Sequence, residues 1–394
     1  MVENIRTNPI LVMMRNWAKF KLALRHPAAA RERFRAWYRP KRRIARLVRK
    51  KKLIAPPPIT VSINLTHLCN LRCKMCGQWR RRDIYRKEIL PLAKLKELID
   101  DVGGFKPKIY LWGGEPLLYP EIGELLRYLR EKKQYVILNT NGVLLERYAE
   151  AIVNSGVNGL DISLDGPAAI HDEIRQVEGT FEKVMAGVRR VKMHQKKTGR
   201  KDPMMKVVCT ISEMNQSWLV ETLELVEASG LFDALIFNLG WFTTEEIGEA
   251  NRRVFRKYLG CDSLSWKEFV GALGDVDPEK IKRLREEISC RRKGGALPVF
   301  FIPPIPPAQI ETYYSRPALP LGKKICFSPW LNPDIRPNGD VTFCADFPDY
   351  IIGNINEKPF REIWNGEKAK KFRRVLIERG LFPICSRCCG LYAY

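Results

Sequence analysis

The sequence has no apolar run near the roughly 20 residues that a membrane-spanning helix needs. Its longest, such as Ile10 to Met14 and Phe232 to Leu239, stop far short, so a spanning helix is excluded. No apolar stretch with a small-residue cleavage site opens the chain, and a secretory leader is therefore not expected. No internal repeat is present. Acidic residues are nearly missing from the first 55 positions, where Glu3 and Glu32 stand against 17 Lys or Arg. Most of the formal net charge of +24 is thus an N-terminal property.

What is present bounds the class. At 394 residues and 45% hydrophobic content the chain can bury a large core, which excludes a disordered or fibrous protein. Eleven cysteines in so long a chain without a leader do not suggest a disulfide scaffold. In a reducing cytosol they more often bind metal or do chemistry, and a cytoplasmic location is expected.

Residues 1–55 read as short helices in which Ile10, Met14, Trp17, Leu24, Phe34, Trp37 and Tyr38 alternate with cations. That pattern fits an interfacial helix on an anionic membrane surface at its inner face, with RNA as a lesser option. The competing reading is a helix packed on the rest of the protein with a solvated basic face. Ala55-Pro56-Pro57-Pro58 then ends any helix and stiffens the link.

From Ile59 the pattern changes. Strands are expected near 59–66, 107–112, 134–138, 159–164, 205–211 and 233–238, with helices near 92–103, 120–132, 145–155, 180–197 and 217–229. Six strands joined by helical crossovers predict a parallel sheet with ligands at the carboxyl ends of its strands. The chain divides into a basic helical segment (1–55), this α/β unit (56–240), a helical insertion ending in the strand or loop F-I-P-P-I-P-P (241–320), and a tail rich in Cys, Pro, Gly and aromatics (321–394).

Cys69, Cys73 and Cys76 form C-N-L-R-C-K-M-C directly after the first strand. Three thiolates at C-x3-C-x2-C spacing can hold three corners of a 4Fe-4S cluster and leave the fourth iron open to a ligand. A zinc site would need a fourth ligand, for which His67 stands only two residues before Cys69, an unusual spacing for a tetrahedral site. Free core thiols are the remaining reading.

The loop and its position resemble the signature of the radical SAM superfamily, and further motifs of that family follow strand by strand. Gly113-Gly114-Glu115-Pro116 is similar to the motif that holds the amino group of S-adenosylmethionine. Glycine permits close backbone approach and a carboxylate accepts from an ammonium. Asn139-Thr140-Asn141-Gly142 resembles the family turn after the third strand, where Asn139 would lie at the cofactor; a plain tight turn is the alternative. After the fourth strand come Ser163-Leu164-Asp165-Gly166, His171 and Arg175. The resemblance places Ser163 and Asp165 near the ribose and methionine parts of the cofactor, Arg175 on its carboxylate and Met75 against adenine. His171, followed by an acidic residue near a helix start, reads as a helix cap. The family fold implied is a partial (β/α)6 TIM-like barrel of the α/β class.

In the tail, Cys326, Gly339, Cys344 and the pair Cys385 and Cys388 resemble the SPASM extension in its shorter twitch form. That implies a small α+β domain with one auxiliary 4Fe-4S cluster on Cys326, Cys344, Cys385 and Cys388. The turn P-N-G-D at 337–340 would bring the first two cysteines together. A zinc-ribbon-like site is the competing count, and Cys389 is a possible substitute ligand. Gly353-Asn354-Ile355 and Ile363-Trp364-Asn365 match further tail motifs, while Cys209, Cys261 and Cys290 read as structural.

The resemblance implies reductive cleavage of S-adenosylmethionine to a 5'-deoxyadenosyl radical, hydrogen abstraction from an unactivated C–H bond, and an auxiliary cluster that takes up an electron. A one-electron donor such as ferredoxin or flavodoxin would be the partner. The basic N-terminus and the apolar insertion point to a lipid or other apolar substrate, and peptide modification is the second reading. A non-catalytic electron carrier or RNA-binding protein is the third, against which the retained cofactor motifs argue. Asp346 and Asp349, just past Cys344, are candidate bases or plain loop residues.

Overall fold

The computed structural model describes residues 22–80, 88–291 and 297–393. Strands β1 (Thr60–Asn64), β2 (Lys108–Trp112), β3 (Tyr135–Thr140), β4 (Gly159–Ser163), β5 (Met204–Thr210) and β6 (Ala234–Asn238) lie side by side and parallel. They fall where period and β-branched content placed them. A seventh parallel strand, β7 (Val299–Ile302), extends this sheet beside β6. The sequence expectation stopped at six because Pro303 and Pro304 made the segment read equally as loop; at a sheet edge and a strand end, proline costs no ladder bond.

On the opposite edge the tail joins the same sheet. β8 (Asp334–Ile335) runs parallel to β1, with Ser62 opposite Asp334, and then turns into antiparallel β9 (Asp340–Thr342) and β10 (Gly353–Asn354). Gly339 makes that turn at φ +88, a left-handed conformation that glycine adopts without strain.

Helices cover the outer face: α1 (Pro27–Arg49) precedes the sheet, α2 (Leu92–Gly103), α3 (Ile122–Glu131), α4 (Leu145–Ser155), α5 (Ala168–Arg175), α6 (Thr180–Thr198) and α7 (Leu219–Ser229) form the crossovers, and α8 (Glu245–Val254) and α9 (Pro278–Arg291) lie in the insertion. Strand alternation separates two environments. Ile109, Leu111, Met205, Val207 and Cys209 point outward and have no exposure, packed under the helices. Lys108, Tyr110, Trp112, Lys206, Val208 and Thr210, on the inner face, are each half-buried. Solvent therefore reaches the inside of the open barrel.

Much of the basic N-terminus is built into this architecture. His26 lies within 3.5 Å of Asp202 and 3.4 Å of Asp233, which immediately precede β5 and β6 at the amino ends of the strands apart from one proline. The charge of Glu32 reaches Lys108 and Tyr135, the first residues of β2 and β3. Ile44 is fully buried, and the carbonyls of Lys52 and Leu53 accept from Trp330 Nε1 and Arg373 Nη1. The helix thus crosses the floor of the barrel, and this part of the segment has an intramolecular use. Leu24 is exposed; Ile10, Met14 and Trp17, and the side chains of Phe34, Trp37 and Tyr38, lie outside what is described.

Candidate functional site

The cysteine loop is held from two sides. Gly114 N donates to Thr66 O at 2.8 Å and Glu115 N to Leu68 O at 2.8 Å. A Cβ on Gly114 would fall 2.2 Å from Leu68 O, and one on Gly113, at φ +145, 2.5 Å from Thr66 O. The two glycines therefore let this turn press onto the backbone that carries Cys69, a use of close approach different from the expected contact with cofactor alone. On the other side, Lys74 N donates to Ile174 O at 3.0 Å and Arg72 N to Arg175 O at 3.3 Å, which hangs the loop on the end of α5.

Donors surround the sulfurs. Cys69 Sγ accepts from Leu71 N at 3.4 Å and Asn141 Nδ2 at 3.8 Å, and Cys73 Sγ from Arg175 Nη1 at 3.5 Å. Burial pushes the Cys69 thiol up to about 12, with Cys73 and Cys76 adding repulsion. Such a thiol is no nucleophile by itself; N–H groups aimed at sulfur suit thiolates held by metal. His67 faces Arg336 Nη2 at 3.5 Å and is held neutral, near 3, by burial and that cation. The loop thus fits an iron–sulfur cluster.

Glu115 is fully buried, and burial raises its carboxyl to about 7 despite three donors. Oε1 accepts from Leu117 N at 3.0 Å and Thr140 Oγ1 at 2.7 Å, and Oε2 from Asn141 N at 2.7 Å. The turn after β3 therefore acts through Thr140 and Asn141. Asn139, the residue singled out from sequence, is half-buried on the inner face beside Asp161. Strand alternation sends Asn139 and Thr140 to opposite faces.

After β4, Asp165 is fully buried and paired with Arg175 Nη2 at 2.5 Å, while its Oδ1 accepts from Thr210 N at 3.0 Å. Arg175 Nε has no hydrogen-bond partner among the described residues. A buried guanidinium with a donor to spare fits a ligand carboxylate. His171 is not a helix cap: it is fully buried and its Nδ1 accepts from Asp165 N at 3.1 Å. The cap is Asp172, whose carboxylate accepts from Gly179 N and Phe181 N at the start of α6. Ser163 and Met75 are half-buried.

In the tail, Cys344 follows β9, Cys385 lies within a tight turn at Pro383–Arg387, and Cys388 ends that turn. The Cys344 thiol feels Cys385 and Cys326, and Cys388 feels all of these together with Cys389. Folding has gathered thiols from three separate segments, and the Cys389 thiol feels Asp346 and Cys326. The other tail motifs are clasps: Asn365 brackets Ala55 N and O at 2.8 and 3.1 Å, and Trp364 Nε1 donates to Pro56 O at 2.8 Å. Asp349 is structural, accepting from Ser263 and Ser265 of the insertion. Cys209 is wholly buried, Cys261 partly so, and Cys290 exposed.

The two cysteine regions meet. Arg336 donates to Ala345 O at 3.3 Å while facing His67, and Trp112 Nε1 donates to Asp334 Oδ1 at 2.9 Å. A small cleft between them is lined by His67, Gln78, Glu268, Arg336 and Asp346. Glu268 comes from the insertion and packs on Gly77, whose added Cβ would lie 2.9 Å from Glu268 Cβ.

Comparison with known families matches the Radical SAM superfamily over residues 63–226 and an iron-sulfur cluster-binding domain of the SPASM type over residues 326–389. The chain belongs to the radical SAM superfamily. Membership brings a 4Fe-4S cluster with S-adenosylmethionine, and the SPASM domain brings an auxiliary cluster. Among relatives in the superfamily, a pre-heme d1 synthase of Dinoroseobacter shibae is 29% identical over 321 residues, 79% of this chain and 74% of its own. An AdoMet-dependent heme synthase of Methanosarcina barkeri is 28% identical over 337 residues, 84% of this chain and 88% of its own. The radical SAM fold is shared with SuiB of Streptococcus suis, solved with S-adenosylmethionine, at TM-score 0.58 and 17% identity over 83% of this chain and 69% of that one. No helix among the described residues is long and apolar enough to cross a membrane.

Proposed function

We propose that this enzyme oxidises a carboxylate-bearing small molecule by hydrogen abstraction inside the barrel. The observation that carries this reading is the half-buried polar inner face of β2, β4 and β5 beneath the three-cysteine loop, with the auxiliary thiols at the edge of the same sheet. When bound, the cluster and S-adenosylmethionine supply a 5'-deoxyadenosyl radical able to take hydrogen from an unactivated C–H bond. The chain's own residues hold and orient. Cys69, Cys73 and Cys76 would ligate the cluster, with Asn141 donating to the sulfur of Cys69 and Arg175 to that of Cys73. Glu115, fixed by Thr140 and Asn141, receives the methionine ammonium, and Arg175 receives its carboxylate while Asp165 keeps the guanidinium in place. Met75 and Ser163 line the adenosine side, and Gly113 and Gly114 set the distance between the two loops. Cys326, Cys344, Cys385 and Cys388 would hold the auxiliary cluster, which would supply an acceptor for the electron left on the substrate. A ferredoxin or flavodoxin is the expected reductant.

The substrate class has two supports. Relatives spanning most of the chain are named for haem synthesis, and haem-type macrocycles carry carboxylates. The inner face offers lysines where a purely apolar lipid would find no partner. Peptide modification is the second reading, favoured by the fold shared with SuiB, which has also been solved with its precursor peptide. Anaerobically reconstituted enzyme with dithionite should form 5'-deoxyadenosine, and Cys76→Ala should abolish it. Persistent formation in that variant would refute the site.

A further inference from the structure

Below the cofactor end of the strands, the inner face holds a polar group that radical chemistry leaves unused. Lys206 on β5 stands in register with Asp161 on β4, and the two are ion-paired at 2.5 Å. Tyr110 on β2 hydrogen-bonds Asp161. Lys108, at the start of β2, makes no ion pair or hydrogen bond among the described residues, and the nearest ammonium, that of Lys206, repels it. Asp161 is committed to Lys206 and Tyr110, and the further carboxylate felt at Lys108 is Glu32 of α1, which lies beneath the floor. A half-buried ammonium facing a second cation, with no counter-ion in contact, is an unfavourable arrangement that an anion from above would relieve.

We propose that Lys108 and Lys206 form the anion-binding floor of the barrel and take the carboxylate of the substrate, with Asp161 and Tyr110 fixing Lys206. This rests on reading the barrel interior as the substrate chamber. The geometry adds a length. Lys206 lies four residues before Thr210, whose amide binds Asp165 at the cofactor end. At about 3.3 Å per residue the two levels are about 13 Å apart. A substrate anchored at the floor thus presents to the radical a carbon on the order of 10 Å from its carboxylate. The floor then selects for an acid of defined reach, and α1 seals it from solvent below.

The test uses reconstituted holoenzyme at low salt, with hexanoate and hexanamide as probes followed by isothermal titration. Saturable binding of hexanoate, at least tenfold tighter than hexanamide, is expected. Lys108→Met and Lys206→Met should each weaken it at least tenfold, Lys108→Arg should stay within about threefold, and Lys94→Met on the exposed face of α2 should change nothing. Because Lys206→Met leaves Asp161 unpaired, the double variant Lys206→Met/Asp161→Asn keeps the test open if the single one does not fold. Equal binding of acid and amide, or wild-type binding in both lysine variants, overturns the floor. Dithionite-driven 5'-deoxyadenosine formation without substrate should persist in every variant. Its absence from the wild type would overturn the radical reading instead, and leave the anion result standing.

Discussion

At the scale of single residues, Glu115 concentrates the site's electrostatics. Burial raises its carboxyl to about 7 although Asn141 N, Thr140 Oγ1 and Leu117 N all favour the charged form. Between its ordinary 4.5 and about 7 the folded protein holds a proton that the unfolded chain has lost, so ligand-free protein should lose stability as pH rises through that window. An ammonium ligand needs the carboxylate, and affinity for S-adenosylmethionine should therefore fall as pH drops below 7. Glu115→Gln should weaken that affinity at least tenfold, flatten both pH profiles and leave iron content unchanged, as equilibrium dialysis and thermal melts will show. A pH-independent wild type would count against the assignment. Glu115 was legible from its motif, but its partners were not: Thr140 lies 25 residues away and meets it only because β3 is the next strand.

At the scale of elements, function depends on how turns dock. Gly114→Ala would drive a methyl group into Leu68 O, an overlap that relaxation can relieve only by parting the two loops. A cost of roughly 1–3 kcal/mol is expected, read as a lower melting temperature, together with loss of cluster iron. The same change at Gly123, which has open space around it, should cost neither. The β8–β9 hairpin places Cys344 at the edge of the barrel sheet. Cys344→Ala should reduce iron from about eight to about four per chain while substrate-free cleavage of S-adenosylmethionine survives. Iron analysis and chromatography separate these outcomes, and loss of cleavage would make the two clusters interdependent. The helix and strand positions were readable from periodicity, whereas β7 was obscured by prolines that only an edge position excuses.

At the scale of the whole molecule, the N-terminal helix is part of the enzyme's floor. Removing residues 1–54 to test membrane binding would also remove Ile44 and the carbonyls that Trp330 and Arg373 use. That deletion should cost stability and cleavage activity, which melting and activity assays of the truncated chain decide. The helix is fastened by His26. Burial disfavours its charge, but Asp202 and Asp233 outweigh that and raise its pKa above 6.5, while Asp233 is lowered. The histidine's contribution is complete below 6.5 and is lost as pH rises through its higher folded value. Arg25 and Lys192 also face Asp233, so the clasp weakens without vanishing. Protection factors at residues 42–49, which divide out the intrinsic base catalysis of exchange, should fall on alkalinisation in the wild type and show no such dependence in His26→Ala.

The chain alone determined which chemistry is built in, because cluster ligation and cofactor motifs are written in short spacings that survive without knowledge of distant contacts. It also determined where the first six strands and their crossover helices form, since their periods are local. Only the folded structure decided which residues of each turn meet Glu115 and the cysteine loop, that the tail's hairpin extends the barrel sheet, and that helix α1 lies against the floor. Each of these rests on contacts between segments tens to hundreds of residues apart, such as Asp334 with Trp112 and Asn365 with Ala55. The charge pattern of residues 1–55 fits a lipid surface and a protein surface equally well in one dimension, and three-dimensional packing is what tells them apart for the part that is described.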